Sequence, residues 1–420
     1  MFYEKEEQIR LVRSSMENQA LAGVKVVDFG WALAGSLTGK HLADHGAQVV
    51  RVESITRPDR TRFDRTVSMS SKTNPDDNPW FTHFNTSKYG MVLNLKHPRV
   101  REVVDRLFRW ADVVNANFSP GTLNKLGFGY EYSKSIKPAI IMAESGVFGQ
   151  TGPLARQRGV DGTGAALSGY LDLTGWPDRG PVGSNLPYGD IVLPSFTAAA
   201  IVAALDYKRR TGKGQYIDAS MIEVCSHQIT PALLDWEANR HEQTRNGNRI
   251  AYAAPHGVFP CQGDDRWCAI AVFTDGEWEA FCHAIGNPPW TKEPRFANLN
   301  SRKENEDALE EPVSEWTKQH SAEEVMQVMQ VAGVPAGVVQ TVQDLLENDP
   351  QLKERGSLVP LKHPVIGVFS HPTPPFKLLK TKAQVRTSPC LGEHTEYVCT
   401  EFLGMSHEEF AELSGQGVFK

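Results

Sequence analysis

The sequence predicts an α/β fold: a Rossmann-like open parallel sheet in a large domain, with a smaller α+β domain beside it. Three observations carry this. Short valine-rich runs alternate with helical patterns over the first 150 residues. A stretch dense in glycine and proline then interrupts the alternation. After it come long helices, a hairpin pattern and more helices. With 420 residues the chain is too long for one ordinary small domain. The expected division is 1–220, with 340–420 returning to it, against a small domain over 221–339.

The elements follow in order. Residues 1–20 read as a polar helix. VKVVDF (24–29) and GAQVVRVE (46–53) read as strands flanking the helical SLTGKHLADH, which makes a βαβ unit. GMVLNL (90–95) is the next strand. In HPRVREVVDRLFRWA (97–111), Val100, Val103, Val104, Leu107 and Phe108 share one helical face. DVVNANF (112–118) is a strand, LGFGYEYSKSIKP a short helix, and AIIMAESGVFG (139–149) a strand running into a glycine-rich loop. Residues 150–190 read as one long ordered loop, which in a compact domain is usually functional. A helix over 191–209 closes at TGKGQ, and 215–245 reads as helical again. APHGVFPCQGDDRWCAIAVF (254–273) is a hairpin turning at GDD. Helices continue to about 335, and from VFSHPTPPFKL onward proline-broken loops lead to a last helix near 406–414.

Composition narrows the function. Hydrophobic residues make up 40% and charged residues 22%, the profile of a soluble globular protein. With 44 basic against 50 acidic side chains the net charge is −6, which argues against nucleic acid as a partner. The N-terminus lacks the apolar core of a signal peptide, and charges interrupt every apolar run, so no membrane-spanning helix is expected. The six cysteines show no CxxC spacing, which fits reduced thiols and a cytoplasmic location. His227, His241 and His256 stand far apart, so no metal is expected. GxGxxG, Walker and GxSxG patterns are absent as well.

Two carboxylates and a set of cations remain as candidates. Asp190 ends the long loop and immediately precedes an apolar helix. It reads either as an N-cap or as a nucleophile at the mouth of the sheet's crevice. The two roles compete, because a carboxylate saturated by N–H donors is a poor nucleophile. Asp161, in RGVDG, is a turn residue or an orienting partner for Asp190. Arg51, Arg60, Arg62, Lys88, Lys125 and Arg158 lie near glycines and turns, where cations and free N–H groups together suit phosphate.

These segments in combination resemble the class III CoA-transferases, the family that includes carnitine and formyl-CoA transferases and α-methylacyl-CoA racemase. The resemblance lies in LAGVKVVDFGWALAGSLTGKHLADHGAQVVRVE (21–53), FNTSKYGMVLNLKHP (84–98), NFSPGTLNKLGFGYE (117–131) and SGVFGQTGP (145–153). It continues through RRTGKGQYIDASMIE (209–223), SRKENEDALE and GVPAGVV (333–339), nearly the whole chain. It implies a CoA-transferase whose nucleophile is Asp190, the aspartate just before the helix that ends in TGxGQ. It implies that Asn117, Phe118 and Lys125 lie along the CoA nucleotide, with Lys88 and Arg158 as further phosphate or ribose neighbours. Arg51, Asp161 and the first-turn residues Leu33 and Ala34 complete the implied CoA site. Coenzyme A is then a substrate, carried as acyl-CoA, and carboxylic acids are the other partners. The family also implies an interlocked dimer, either a homodimer or a heterodimer with a related subunit.

Departures refine the expectation. The racemase branch has a histidine before the aspartate where this chain has Val160, and racemisation needs that second base. An acyl-CoA racemase or epimerase, and a non-catalytic subunit of a heteromeric transferase, are the alternative readings. Leu33 stands where formyl-CoA transferases carry glutamine, which argues against oxalate and formate. Ser36 replaces the proline of the family's first turn. TGWPDRGPVGS is similar to the succinyl-CoA:benzylsuccinate CoA-transferase group, which implies succinyl-CoA as donor and an aryl- or alkyl-succinate as acceptor. Trp31, Leu33 and Tyr188 are then expected to line an apolar pocket.

Overall fold

Valine-rich runs become strands because β-branched side chains suit a pleated, buried surface. The computed structural model describes residues 18–64 and 74–420. The helix expected over 1–20 lies, up to residue 17, outside the described residues. In chain order the first elements are β1 (Lys25–Phe29), α1 (Ala34–Ala43), β2 (Gln48–Glu53), α2 (Pro79–Phe84) and β3 (Tyr89–Val92). Next come α3 (Val100–Trp110), β4 (Val113–Ala116), α4 (Thr122–Leu126), α5 (Tyr130–Ile136) and β5 (Ile141–Gly146). Then follow α6 (Asp161–Leu167), α7 (Tyr188–Thr211), β6 (Tyr216–Ser220), α8 (Met221–Gln228) and α9 (Thr230–Asn239).

The six strands form one parallel sheet in the order β3-β2-β1-β4-β5-β6. Strand order reverses between β1 and β4, and ligands of such sheets bind beyond the strand carboxyl ends at that point. The two-residue period sorts the core into two layers. Val26, Val49, Val113, Ile141 and Ala143 face Leu42, Ala43, Ile201 and Ala204 of α1 and α7. Val27, Val50, Val114 and Met142 face Val103, Val104, Leu107 and Phe108 of α3. Each of those four α3 side chains is fully buried, worth about 1.5–3 kcal/mol apiece.

Three readings need correction. Residues 216–220 form the edge strand β6 rather than helix. YIDAS is short and runs straight into α8, so its pairing with β5 is invisible locally. The loop 150–190 contains α6, whose glycines and alanines masked a helical turn. Residues 358–372, read partly as proline-broken loop, form the antiparallel hairpin β10 (Leu358–His363) and β11 (Gly367–Pro372), a two-stranded ladder that tolerates its prolines.

The chain divides into two compact units. One takes residues up to Leu171, Gly183–Glu242 and Lys353–Lys420, and so includes the terminal helix His407–Gly415. The other takes Asp172–Val182 and Gln243–Leu352. The expected boundary at 221 therefore shifts. Residues 221–242 stay with the sheet because Met221 and Cys225 pack with Ala34 and Leu193. Within the second unit, β7 (His256–Pro260) and β8 (Trp267–Ala271) form the expected hairpin, and β9 (Ala336–Val338) pairs antiparallel with β8. Its core gathers Trp278, Phe281, Phe296, Leu309, Val325 and Met329.

One helix exceeds expectation. α7 carries an 18-residue window of mean hydropathy 1.6, long and apolar enough to cross a membrane by length and composition, and one third of that window is buried. In this unit it packs against α1, β5 and β6.

Candidate active site

The crevice between β1 and β4 is assembled around buried polar groups. Asp28, fully buried in β1, accepts from Gly30 N, Asn115 Nδ2 and Lys88 Nζ, each at 2.8 Å. Asn117, at the exit of β4, locks the exit of β1. Its Oδ1 accepts from Trp31 N at 2.6 Å and its Nδ2 donates to Trp31 O at 2.9 Å. α1 descends onto this lock only because residue 35 is glycine. A Cβ there would lie 2.6 Å from Gly30 Cα and collide with the Asn117 amide.

Two expected phosphate ligands are spent inside the protein. Lys88 Nζ donates to Asp28, to Ser36 O at 2.7 Å and to Asn85 Oδ1 at 3.0 Å, which uses all three ammonium hydrogens. Burial lowers it to about 8 against the pull of Asp28. Arg51, also fully buried, donates to Gly30 O, Ser36 Oγ and Asp59, and pairs with Glu53. Both cations hold the first turn of α1 in place and are buried away from any phosphate at the surface. Lys125 and Arg158, by contrast, are exposed. Phe118 is half-buried against Phe29, with ring centroids 6.4 Å apart.

Asp190 is the third residue of α7. The N-cap position belongs to Pro187, which makes no side-chain cap. The capping is done from outside: Asp161 Oδ1, at the start of α6, accepts from Asp190 N at 2.9 Å. The two aspartates singled out from the sequence therefore meet, and the N-cap reading of Asp190 does not hold. Gly189 permits the approach, since a Cβ there would sit 2.6 Å from Met221 Cγ and 3.0 Å from Asp161 Oδ1. Burial first, and Asp161 second, push the Asp190 carboxyl up to about 6, while Arg60 pulls it the other way. A half-buried carboxylate without saturating donors, near neutral pKa, can act as a nucleophile.

The floor beneath it is apolar. Ala34, Leu193, Met221 and Cys225 pack together with Val147, Tyr188 and Ala219, so the exits of β1, β5 and β6 converge on the start of α7. Burial and the neighbouring Asp161 push the Cys225 thiol up, which keeps it from competing as a thiolate. The apolar pocket expected from Trp31, Leu33 and Tyr188 does not form as one cluster. Leu33 packs with Leu37, Phe84 and Trp80, Tyr188 stacks on Tyr170 at 4.6 Å, and Trp31 lies under Arg57. In the glycine-rich loop, Gln150 N is already taken by Asp218 Oδ1 at 2.8 Å.

Several contributors went unnoticed in the sequence. Asp28, Asn115 and Asp59 are all fully buried. A carboxylate inside a valine-rich strand was the available signal, since buried acids need partners. A groove of 570 Å³ between the loop at Gly247–Ile250, β7, β8 and Pro335–Gly337 lies within the second unit and includes none of these residues. No group of three metal-ligating side chains exists among the described residues.

Comparison with known proteins bears on the fold and the family. The model of CoA-transferase family III matches residues 21–395. The chain is 30% identical to the succinyl-CoA--D-citramalate CoA-transferase of Chloroflexus aurantiacus over 399 residues, 95% of this chain and 98% of that one. It is 30% identical to the succinate--glutarate CoA-transferase of Agrobacterium fabrum, over 91% of this chain and 95% of that one. The crystal structure of a CAIB/BAIF family protein from Brucella suis superposes with a TM-score of 0.84 at 32% identity, covering 92% of this chain and all of that one.

Proposed function

Because the chain belongs to CoA-transferase family III, we propose that it moves CoA from succinyl-CoA to an acceptor carboxylic acid through a thioester on Asp190. The observation that carries this reading is the division of labour between two aspartates. Asp161 serves the helix N–H, and the Asp190 carboxylate is left uncapped at a pKa of about 6.

The Asp190 carboxylate attacks the thioester carbonyl and expels CoA thiolate, forming a mixed anhydride. The thiolate attacks the aspartyl carbonyl of that anhydride, which releases the donor acid as carboxylate and leaves an aspartyl-CoA thioester. The acceptor carboxylate attacks this thioester, giving a second anhydride and thiolate. Thiolate attack on the acceptor carbonyl then releases the new acyl-CoA and regenerates Asp190. Binding of the remote CoA nucleotide supplies energy to hold the thiolate in place. Asn117 and the buried Asp28–Lys88 pair set the shape of the crevice, and exposed Lys125 and Arg158 are the cations left to meet phosphate.

The succinyl donor is supported by two relatives named for succinyl-CoA or succinate. The acceptor we propose is an aryl- or alkyl-succinate, on the resemblance of residues 174–184, although those relatives are named for citramalate and glutarate. The protein acts as an interlocked dimer, homomeric or paired with a related subunit. The exposed apolar side chains of Ile191, Phe196 and Val202 on α7, and of Leu233, Leu234 and Trp236 on α9, support a partner there.

Peptide mass spectrometry after mixing the protein with succinyl-CoA and trapping with hydroxylamine tests the mechanism. A hydroxamate on the Asp190 peptide is the expected result. An unmodified peptide with every acyl-CoA donor tried overturns it.

A further inference from the structure

The loop after β2 carries three described arginines with different fates. Arg62 is spent: it pairs with Glu53 and Asp76, donates to Pro75 O, and covers the Phe81 ring at 3.5 Å. Arg57 lies over the Trp31 ring at 5.6 Å. Arg60 is exposed and has no hydrogen-bond or ion-pair partner among the described residues.

Most exposed arginines are solvated and idle, but this one has a fixed base. The preceding Asp59 is fully buried. Its carboxylate accepts from Arg51, from Ala32 N at 3.0 Å, from Thr61 N at 2.8 Å and from Thr61 Oγ1 at 2.7 Å. Its own N–H donates to Glu53 Oε1 at 3.3 Å. The loop is thus tied to the end of β2 and to the β1 exit, where Ala32 adopts a left-handed φ of 52°. Two residues on, Ala34 packs in the cluster of Leu193 and Tyr188, on the first turns of the helix that carries Asp190. Arg60 therefore rises from a rigid rim beside the nucleophile, and its charge reaches the Asp190 carboxylate.

We propose that Arg60 binds the distal carboxylate of a dicarboxylic acyl group, and so makes the enzyme selective for dicarboxylic over monocarboxylic acids of equal chain length. The inference rests on Asp190 being the nucleophile. A dicarboxylate brings a second negative charge towards Asp190 and Asp161, which repel it. A guanidinium offers two parallel N–H donors that match a carboxylate and offset that repulsion, and no other described residue engages the fork of Arg60. A monocarboxylic acid has nothing to place there.

Self-exchange tests this without knowledge of the natural acceptor. The rate at which labelled succinate enters succinyl-CoA is compared with the rate at which labelled butyrate enters butyryl-CoA. Arg60→Gln is expected to lower kcat/KM for succinate about 10- to 100-fold and to change butyrate exchange less than about 3-fold. Arg60→Lys, which keeps the charge and loses the fork, is expected to fall between. An effect acting through Asp190 or through CoA would strike both acids alike, and an equal fall overturns the proposal. So does an unchanged ratio. If the wild-type protein exchanges neither acid and forms no Asp190 adduct, the nucleophile reading fails and Arg60's role falls with it. Exchange without a shift in the ratio leaves Asp190 standing and removes Arg60 alone.

Discussion

Asp161 acts on Asp190 twice, accepting from its N–H and adding to the burial that raises its carboxyl. Asp190 holds its proton more tightly in the folded chain than when unfolded, because burial and Asp161 raise it to about 6. As the proposed nucleophile, the carboxylate must be ionised to attack, so kcat/KM should rise with pH and level off above about 6. The same shift costs stability: as pH rises from the ordinary carboxylate range through 6, the folded state must give up that proton. Asp190→Asn should therefore abolish transfer, by at least about 1000-fold. It should also raise stability at pH 7–8 by roughly 1–2 kcal/mol, with no gain near pH 3. Thermal melts at both pH values check the second half. Asp161→Asn keeps an oxygen for the Asp190 N–H but removes the charge, so the acidic limb of the rate profile should move below 6. Asp161→Ala loses the cap as well and should cost a further ~1 kcal/mol of stability. Of these two residues, the position of Asp190 at the start of the long helix was legible in the sequence. That Asp161 caps it was not, because the contact joins residues 29 apart. Lys88 misled for the same reason: beside a turn it looks like a phosphate ligand, yet its anion, Asp28, lies 60 residues away. Arg51 misled although its anions, Glu53 and Asp59, are near in sequence, because only the folded loop turns Asp59 back onto it.

At the scale of elements, the approach of α1 to β1 and β4 decides the crevice. Gly35→Ala places a methyl against Gly30 Cα and the Asn117 amide, backbone and locked side chain that have little room to move. It should destabilise the protein by at least about 2 kcal/mol and raise KM for CoA esters, read by denaturant melts and initial rates. The ion cluster at the end of β2 makes a second case. Although burial works to raise it, Arg51 and Arg62 hold the Glu53 carboxyl at about 2. Its stabilisation is present above the ordinary glutamate range and is lost as pH falls from about 4.5 towards 2. Glu53→Gln should leave Arg51 and Arg62 short of one anion and lower the melting temperature at pH 7, with a much smaller difference from wild type near pH 2. Strands β1 to β5 and α3 were legible because their valines and leucines follow periods of 2 and 3.6. The edge strand β6 and helix α6 were not. Their short, small-residue sequences form only because β5 and α7 are there to pair and pack with them.

For the whole molecule, apolar surface on α7 and α9 predicts association. Light scattering should report a dimer, and Leu234→Glu combined with Trp236→Glu should shift it towards monomer. A wild-type protein that stays monomeric at all concentrations would remove the dimer from the proposal. The alternation of strand and helix, the family's motifs and the aspartate before the long helix were determined by the sequence by itself. They depend on periodicity and on residues near one another in the chain. Where each buried charge finds its partner, which arginine is left without one among the described residues, and which oxygen caps the helix of Asp190 were decided only in the tertiary structure. Lys88 and Asp28 are 60 residues apart and Asp161 and Asp190 are 29 apart, and a charge taken out of water is set by whichever group the fold brings within hydrogen-bond reach.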